Sequence, residues 1–132
     1  MINLIHSIPL NEIFHGRSLK DRILALTDPR TIPASSAACL RDTDIVLGMT
    51  INDESRAYPL RIMNWHEIVN DMLGEQPILV TLCPLCGTGI AFDPVVDGKI
   101  AKFGVSSLPH NNDLLMCDRG TDTPSLQAIS SW

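Results

Sequence analysis

Basic residues are scarce in this sequence, and it has no long apolar run. Ten lysines and arginines stand against 15 aspartates and glutamates, which gives a formal net charge of -5 at pH 7. Such a chain lacks the basic stripe typical of nucleic-acid binding, and we do not expect it to bind anionic membrane surfaces. No apolar run approaches the roughly 20 residues that a membrane-spanning helix needs. The sequence therefore predicts neither a nucleic-acid nor a membrane partner.

The N-terminal residues do not predict a secretory leader. Residues 1–10 are apolar, but this stretch is short, has no basic start and contains Pro9, so it does not resemble a signal peptide. We therefore expect a cytoplasmic protein, in a compartment where thiols are kept reduced. In such a compartment, four cysteines favour redox or metal chemistry over a disulfide framework.

The signatures of several common enzyme classes are absent too. The sequence has no phosphate loop, no dinucleotide fingerprint and no nucleophilic serine elbow. It also has no carboxylate pair spaced for acid–base hydrolysis, and no internal repeat. What remains is a chain of 132 residues, 45% apolar and 19% charged, which predicts a single domain with one core.

Local patterns predict an α+β domain that is mostly antiparallel sheet, with one clear helix and an irregular N-terminal arm. Residues 1–43 form that arm, because prolines interrupt it repeatedly. Residues 44–51 and 55–60 flank the polar triplet 52–54, which predicts a hairpin. Asp97-Gly98 between apolar runs at 90–96 and 99–105 predicts a second hairpin.

The helix is predicted over residues 61–73, with Gly74 as its end. Apolar residues at helical spacing fall on one face of it: Ile62, Trp65, Val69, Met72 and Leu73. Trp65 is accordingly assigned to the core. The apolar run 78–82 predicts a buried strand, and residues 121–132 are expected to be irregular because their periodicity is weak.

Cys83 and Cys86 carry the clearest chemical signal, between two predicted strands. A two-residue spacer lets two sulfurs approach within bonding distance, so the pair can form and release a disulfide. Thiolates need stabilisation, and Gly87 and Gly89 would let backbone amides turn towards a sulfur. The pattern predicts a thiol–disulfide redox domain in which Cys83 is the attacking or more exposed thiol and Cys86 resolves.

Two other interpretations of these cysteines stay open. Cys-Pro-x-Cys-Gly is also typical of a zinc or iron knuckle, although a knuckle supplies only two of the roughly four ligands of a closed zinc site. The remaining ligands would come from a second chain or from other residues of this one: Cys39, Cys117, His66 or His110. In the third interpretation the two cysteines simply pack, without metal or redox chemistry.

His66 and Glu67 precede the strand that leads into Cys83. A histidine there could act as acid or base in thiol exchange, with the glutamate orienting it, which makes both residues catalytic candidates. The competing interpretation is a helix histidine bonded to backbone or water.

Several longer motifs occur in a fixed order along the chain: residues 26–29, 56–62, 64–71, 83–89, 96–98 and 113–116. Together they resemble the bacterial family of unknown function numbered 3179, over about residues 20 to 119. The resemblance implies no established activity. Some family members are described as selenoproteins with selenocysteine in a motif of this kind, which favours redox chemistry over structural zinc. The family pattern also keeps the segment of His66 and Glu67.

The chain departs from the family pattern beyond Arg119. The resemblance therefore implies a truncated relative, with a family-like core at 44–119 and a divergent tail at 120–132. An incomplete sheet would expose an edge strand, which favours a homo-oligomer. If the site is active, its partner is an unknown thiol or disulfide.

Overall fold

The computed structural model describes residues 22–106, 114–121 and 124–126. Its elements in chain order are β1 (Leu26–Thr27), a 3-10 helix (Ala34–Ser36), β2 (Val46–Ile51), β3 (Glu54–Pro59), α1 (Leu60–His66), β4 (Ile68–Leu73), β5 (Gln76–Cys83), β6 (Thr88–Phe92), β7 (Val95–Val96), β8 (Lys99–Ile100), β9 (Phe103–Val105), β10 (Leu115–Asp118) and β11 (Pro124–Leu126). Strands with one α-helix in the described residues confirm the predicted α+β class.

A four-stranded sheet in the order β1-β4-β5-β6 forms the centre of the described structure. Strand β1 runs parallel to β4, and the other neighbours in this sheet are antiparallel. A three-stranded antiparallel sheet, β11-β10-β9, and the hairpins β2-β3 and β7-β8 complete the described topology. The prediction of a mostly antiparallel sheet is confirmed.

Strand β5 is buried on both sides. Successive side chains of a strand point to opposite faces, so β5 contributes to two clusters. One cluster contains Val80 and Leu82, together with Tyr58 of β3 and Met63 of α1. The other contains Leu79 and Cys83, packed with residues of β9 and β10. Burial on both faces explains why the strand appears in sequence as an unbroken apolar run.

The predicted helix over 61–73 is wrong in its second half. Helix α1 ends at His66, and residues 68–73 form β4 instead. The Glu67 amide closes the last helical turn on the Met63 carbonyl, and Glu67 itself has a φ of 58°, which stops the helix. Pairing of β4 with β1 and β5 overrides the helical spacing of its apolar residues. Trp65, assigned to the core, is 79% exposed.

Both predicted hairpins form, although one is shorter than expected. Asn52 and Asp53 take positive φ angles between β2 and β3, as the favoured two-residue hairpin turns require. Asp97 and Gly98 do the same between β7 and β8. The predicted strand 90–96 is divided, because its first residues belong to β6 of the central sheet. Likewise, residues 103–105 of the predicted strand 99–105 form β9 in a different sheet.

The sequence predicts an irregular arm and an irregular tail, yet each of them contributes a short strand. Residues 22–43 are mostly irregular, but β1 pairs with β4 at Leu26 and Val69. Strand β11 lies within the tail, so the expectation of an irregular 121–132 is wrong for 124–126. Residues 1–21 lie outside the described residues, as does 127–132. Among the described helices, none has the length and apolar character needed to cross a membrane.

Candidate functional site

A tight turn at residues 84–87 joins β5 to β6 and holds the cysteine pair. Cys83 is the last residue of β5, and Cys86 lies within the turn. The Gly87 amide donates to the Cys83 carbonyl at 2.9 Å, which closes the turn. Gly87 has a φ of 67°, a conformation that glycine adopts at little steric cost. The predicted turn of two nearby cysteines between strands is present.

The two thiols differ sharply in exposure. Cys83 is 3% exposed and packs in the apolar cluster with Leu79 and Phe103, whereas Cys86 is exposed. The expectation that Cys83 is the more exposed thiol is therefore wrong. Its position at the end of β5 places its side chain on the sheet face covered by β9 and β10, which loop order alone could not indicate.

Burial raises the pKa of the Cys83 thiol above its ordinary value. A hydrogen bond between the Cys83 and Cys86 side chains raises this pKa further, while backbone amide hydrogen bonds from Cys86 and Leu85 lower it in part. The Cys86 sulfur also lies 3.7 Å from the Cys83 carbonyl oxygen. The turn thus brings a buried, protonated thiol against an exposed one.

Gly89 packs closely against the β2-β3 hairpin, and its predicted role beside a sulfur stays a prediction. It lies in β6 opposite Leu82, and a Cβ atom there would come within 2.6 Å of Leu47 Cδ2. The absence of a side chain at Gly89 therefore lets the Leu47 side chain of β2 pack directly against the β6 backbone. The backbone amides of Leu85 and Cys86 lower the pKa of the Cys83 thiol in part.

His66 and Glu67 lie at the end of α1, rather than in the middle of a helix. His66 Nδ1 is 2.8 Å from the Leu24 carbonyl oxygen, so this ring nitrogen faces the backbone of the arm. The Glu67 carbonyl accepts a hydrogen bond from the Leu82 amide at 2.7 Å, which places the Glu67 backbone one residue along from Cys83. Burial raises the pKa of the Glu67 carboxyl group. The participation of either side chain in cysteine chemistry stays a prediction.

The other two cysteines lie in different segments of the described chain from the cysteine turn. Cys39 is exposed, and its carbonyl accepts a hydrogen bond from Arg61 at 3.0 Å. Cys117 is buried in β10, opposite Gly104 of β9. Among residues 22–106, 114–121 and 124–126, no three or more histidine, cysteine or acidic side chains are grouped to hold a metal ion. His110, named as a candidate ligand, lies outside these ranges.

A buried ionic cluster, which the sequence did not reveal, lies between β3 and β4. Asp71 Oδ2 accepts hydrogen bonds from Arg56 at 2.7 Å and from the Tyr58 hydroxyl at 2.9 Å. Arg56 and Tyr58 are two positions apart on β3, so they share a face, and that spacing was a usable signal. Asp71 was missed because its segment was assigned to a helix.

The fold and the turn define a class: an α+β protein with a thiol pair at the end of a buried central strand. The chain belongs to the family described as "Protein of unknown function (DUF3179)", whose model matches residues 20–131. The predicted family is confirmed, and the match continues past Arg119, where the motifs recognised in the sequence end. Comparisons with curated proteins and with solved structures gave no match.

Proposed function

We propose that this chain is a thiol–disulfide redox domain whose working groups are Cys83 and Cys86. The observation that carries the proposal is the contact of an exposed thiol with a buried one within a single turn. An exposed sulfur can meet a partner, while a buried neighbour is protected from external reagents until the second step.

The difference in exposure supports the following order for the two proposed steps. The Cys86 thiolate attacks one sulfur of a partner disulfide, forming a mixed disulfide and releasing the first partner thiol. Cys83 then loses its proton, with His66 and Glu67 as the proposed assisting groups, and attacks the Cys86 sulfur. This step releases the second partner thiol and leaves a Cys83–Cys86 disulfide. The cysteine pair loses two electrons and two protons, and the partner disulfide gains them.

The partner, the assisting residues and the assembly state are part of this proposal. The partner is a thiol or disulfide compound that the sequence does not identify. His66 and Glu67 are proposed to assist proton transfer at the cysteines, because the Glu67 backbone lies alongside β5. We also propose a homo-oligomer, since β6 pairs on one side only among the described strands and such edges favour association.

The first test combines intact mass, thiol counting and elemental analysis after equilibration in a series of glutathione redox buffers. We expect a two-proton mass loss that maps to Cys83 and Cys86, reverses on reduction and occurs without bound metal. Thiols that stay reduced throughout, together with about one zinc per chain or per dimer, would instead support the knuckle interpretation.

Single substitutions test the order of the steps. Cys83→Ser should accumulate a mixed disulfide with glutathione on Cys86, because the resolving thiol is missing. Cys86→Ser should react slowly, since the remaining Cys83 thiol is buried. Cys39→Ser is the matched control, and its Cys83–Cys86 chemistry should match that of the parent chain. Rapid glutathionylation of Cys83 in the Cys86→Ser variant would reverse the assignment.

The proposed assistance has a separate kinetic test. His66→Gln and Glu67→Gln should slow formation of the Cys83–Cys86 disulfide at fixed oxidised glutathione, and Glu75→Gln should leave it unchanged. If both rates equal that of the parent chain across pH 6 to 9, neither His66 nor Glu67 takes part in proton transfer.

A further inference from the structure

The turn at residues 84–87 places two sulfur atoms close together, an arrangement that is also suited to binding a metal ion. Two thiols, those of Cys83 and Cys86, contact each other in one turn. The Gly87 amide closes the turn on the Cys83 carbonyl oxygen at 2.9 Å, and the Cys86 sulfur lies 3.7 Å from that same oxygen. One short segment therefore supplies two sulfur ligands, which bind a metal ion in their deprotonated form.

The number and type of ligands decide which ion suits this turn. Two thiolates are soft ligands, and soft ligands favour copper(I), zinc and iron–sulfur clusters. Zinc takes about four ligands in a closed site, which is more than one such turn supplies. Copper(I) is monovalent and forms stable complexes with two sulfur ligands alone, so its requirement matches the pair.

The surroundings of the pair also fit an ion of low charge. Cys83 lies among apolar side chains that include Ile68 and Phe103, while Cys86 is exposed. A copper(I) ion between two thiolates has a net charge of -1, which costs less to desolvate than the roughly -2 of a zinc ion held by four thiolates. The exposed sulfur gives the ion a path from solvent.

We propose that the reduced turn binds one copper(I) ion through the sulfur atoms of Cys83 and Cys86. Binding replaces two thiol protons with one metal ion, and no electrons are transferred. The inference rests on the same reduced thiol pair as the proposed redox function, but it needs no partner disulfide. The two proposals can therefore fail independently.

The test is an anaerobic titration of the reduced full chain with copper(I), in competition with a chromophoric copper(I) chelator. We expect one copper per chain, and an X-ray absorption spectrum that shows two sulfur neighbours. Cys83→Ser and Cys86→Ser should each weaken binding by about 100-fold or more, since each removes half of the ligands. Cys39→Ser should bind as the parent chain does.

Three results would overturn the inference: no competition for copper(I), a spectrum with three or four sulfur neighbours, or binding unchanged by Cys86→Ser. A parallel titration with zinc alone tests the knuckle interpretation, which predicts tight binding of about one zinc per chain or per two chains. Copper binding without disulfide formation in glutathione buffers would contradict only the redox proposal. The reverse pattern would contradict only the copper site.

Discussion

The Tyr58 hydroxyl donates a hydrogen bond to Asp71 Oδ2 at 2.9 Å, and this contact joins the β2-β3 hairpin to the central sheet. Arg56 donates to the same oxygen at 2.7 Å and also reaches Glu54 at 2.7 Å. The Asp71 side chain is only 5% exposed, so its charge depends on these partners for stabilisation. The hairpin is thus held by a buried ionic contact as well as by apolar packing.

Asp71→Asn should therefore lower the free energy of unfolding by about 3 kcal/mol. The substitution removes the carboxylate and leaves the positive charge of Arg56 poorly compensated. Urea unfolding followed by circular dichroism measures the change. Glu54→Gln is the matched control: Glu54 is 47% exposed, and removing an exposed charge should cost about 1 kcal/mol or less. Equal losses in the two variants would show that the buried ion pair contributes no more than the exposed one.

The same cluster predicts a loss of stability at alkaline pH. Burial raises the pKa of Tyr58 above its ordinary value of 10.0, and the hydrogen bond to Asp71 raises it further. A group whose pKa is higher in the folded state than in the unfolded state stabilises the fold. This stabilisation is complete at pH values below the unfolded-state pKa and is lost as the pH rises above that pKa. Stability should therefore begin to fall above about pH 10.

The chain offers a direct readout of this effect, because Tyr58 is its single tyrosine. Ultraviolet absorbance should show no tyrosinate in the folded protein at pH 10.5, and tyrosinate should appear together with unfolding. In Tyr58→Phe, the difference in stability between pH 9 and pH 11 should be smaller than in the parent chain. Tyrosinate that forms in the folded protein near pH 10 would contradict the prediction.

Features set by a few neighbouring residues could be predicted from the sequence, and features set by packing could not. Asn52-Asp53 and Asp97-Gly98 specify their turns locally, because few residues tolerate the positive φ that such hairpins need. The cysteine turn was likewise predictable from its own residues. The burial of Cys83 was not, since it depends on β9 and β10, which are distant in sequence.

The boundary between α1 and β4 shows the same limit. Ile62, Trp65 and Val69 have helical spacing, yet Val69 belongs to a strand that pairs on both sides. Helical periodicity over a short window is a weak preference, and two rows of sheet hydrogen bonds outweigh it. Trp65 was assigned to the core on that periodicity, and it lies on the exposed side of a helix that ends one residue later.

Two residues of α1 test this correction. Met63 is 1% exposed and Trp65 is 79% exposed. Met63→Ala should lower the free energy of unfolding by about 2–5 kcal/mol, because it leaves a cavity in the core. Trp65→Ala should change it by about 0.5 kcal/mol or less, as is usual for exposed positions. Thermal or urea unfolding of the two variants checks the difference, and a larger loss for Trp65→Ala would restore the core assignment.

Glu67 combines a φ of 58° with partial burial, which makes its carboxyl group informative. Burial raises its pKa, so the folded state favours the protonated form. Stability from this group is present below the unfolded pKa of about 4.3 and declines as pH rises through the folded value. At pH 7 the ionised carboxylate is therefore unfavourable. The stability of Glu67→Gln relative to the parent chain should accordingly be higher at pH 7 than at pH 4.

Glu75→Gln is the matched control for this substitution, because Glu75 is an exposed glutamate with a φ of 64°. Urea unfolding of both variants and the parent chain at pH 4, 5.5 and 7 gives the comparison. The free energy of unfolding of Glu67→Gln, relative to that of the parent chain, should rise with pH. The same difference for Glu75→Gln should rise less. If Glu67→Gln instead destabilises the chain at pH 7, a group in the folded protein stabilises the carboxylate more than burial disfavours it. A disulfide-formation rate that also falls in this variant would then indicate that the carboxylate is held for proton transfer at the cysteines.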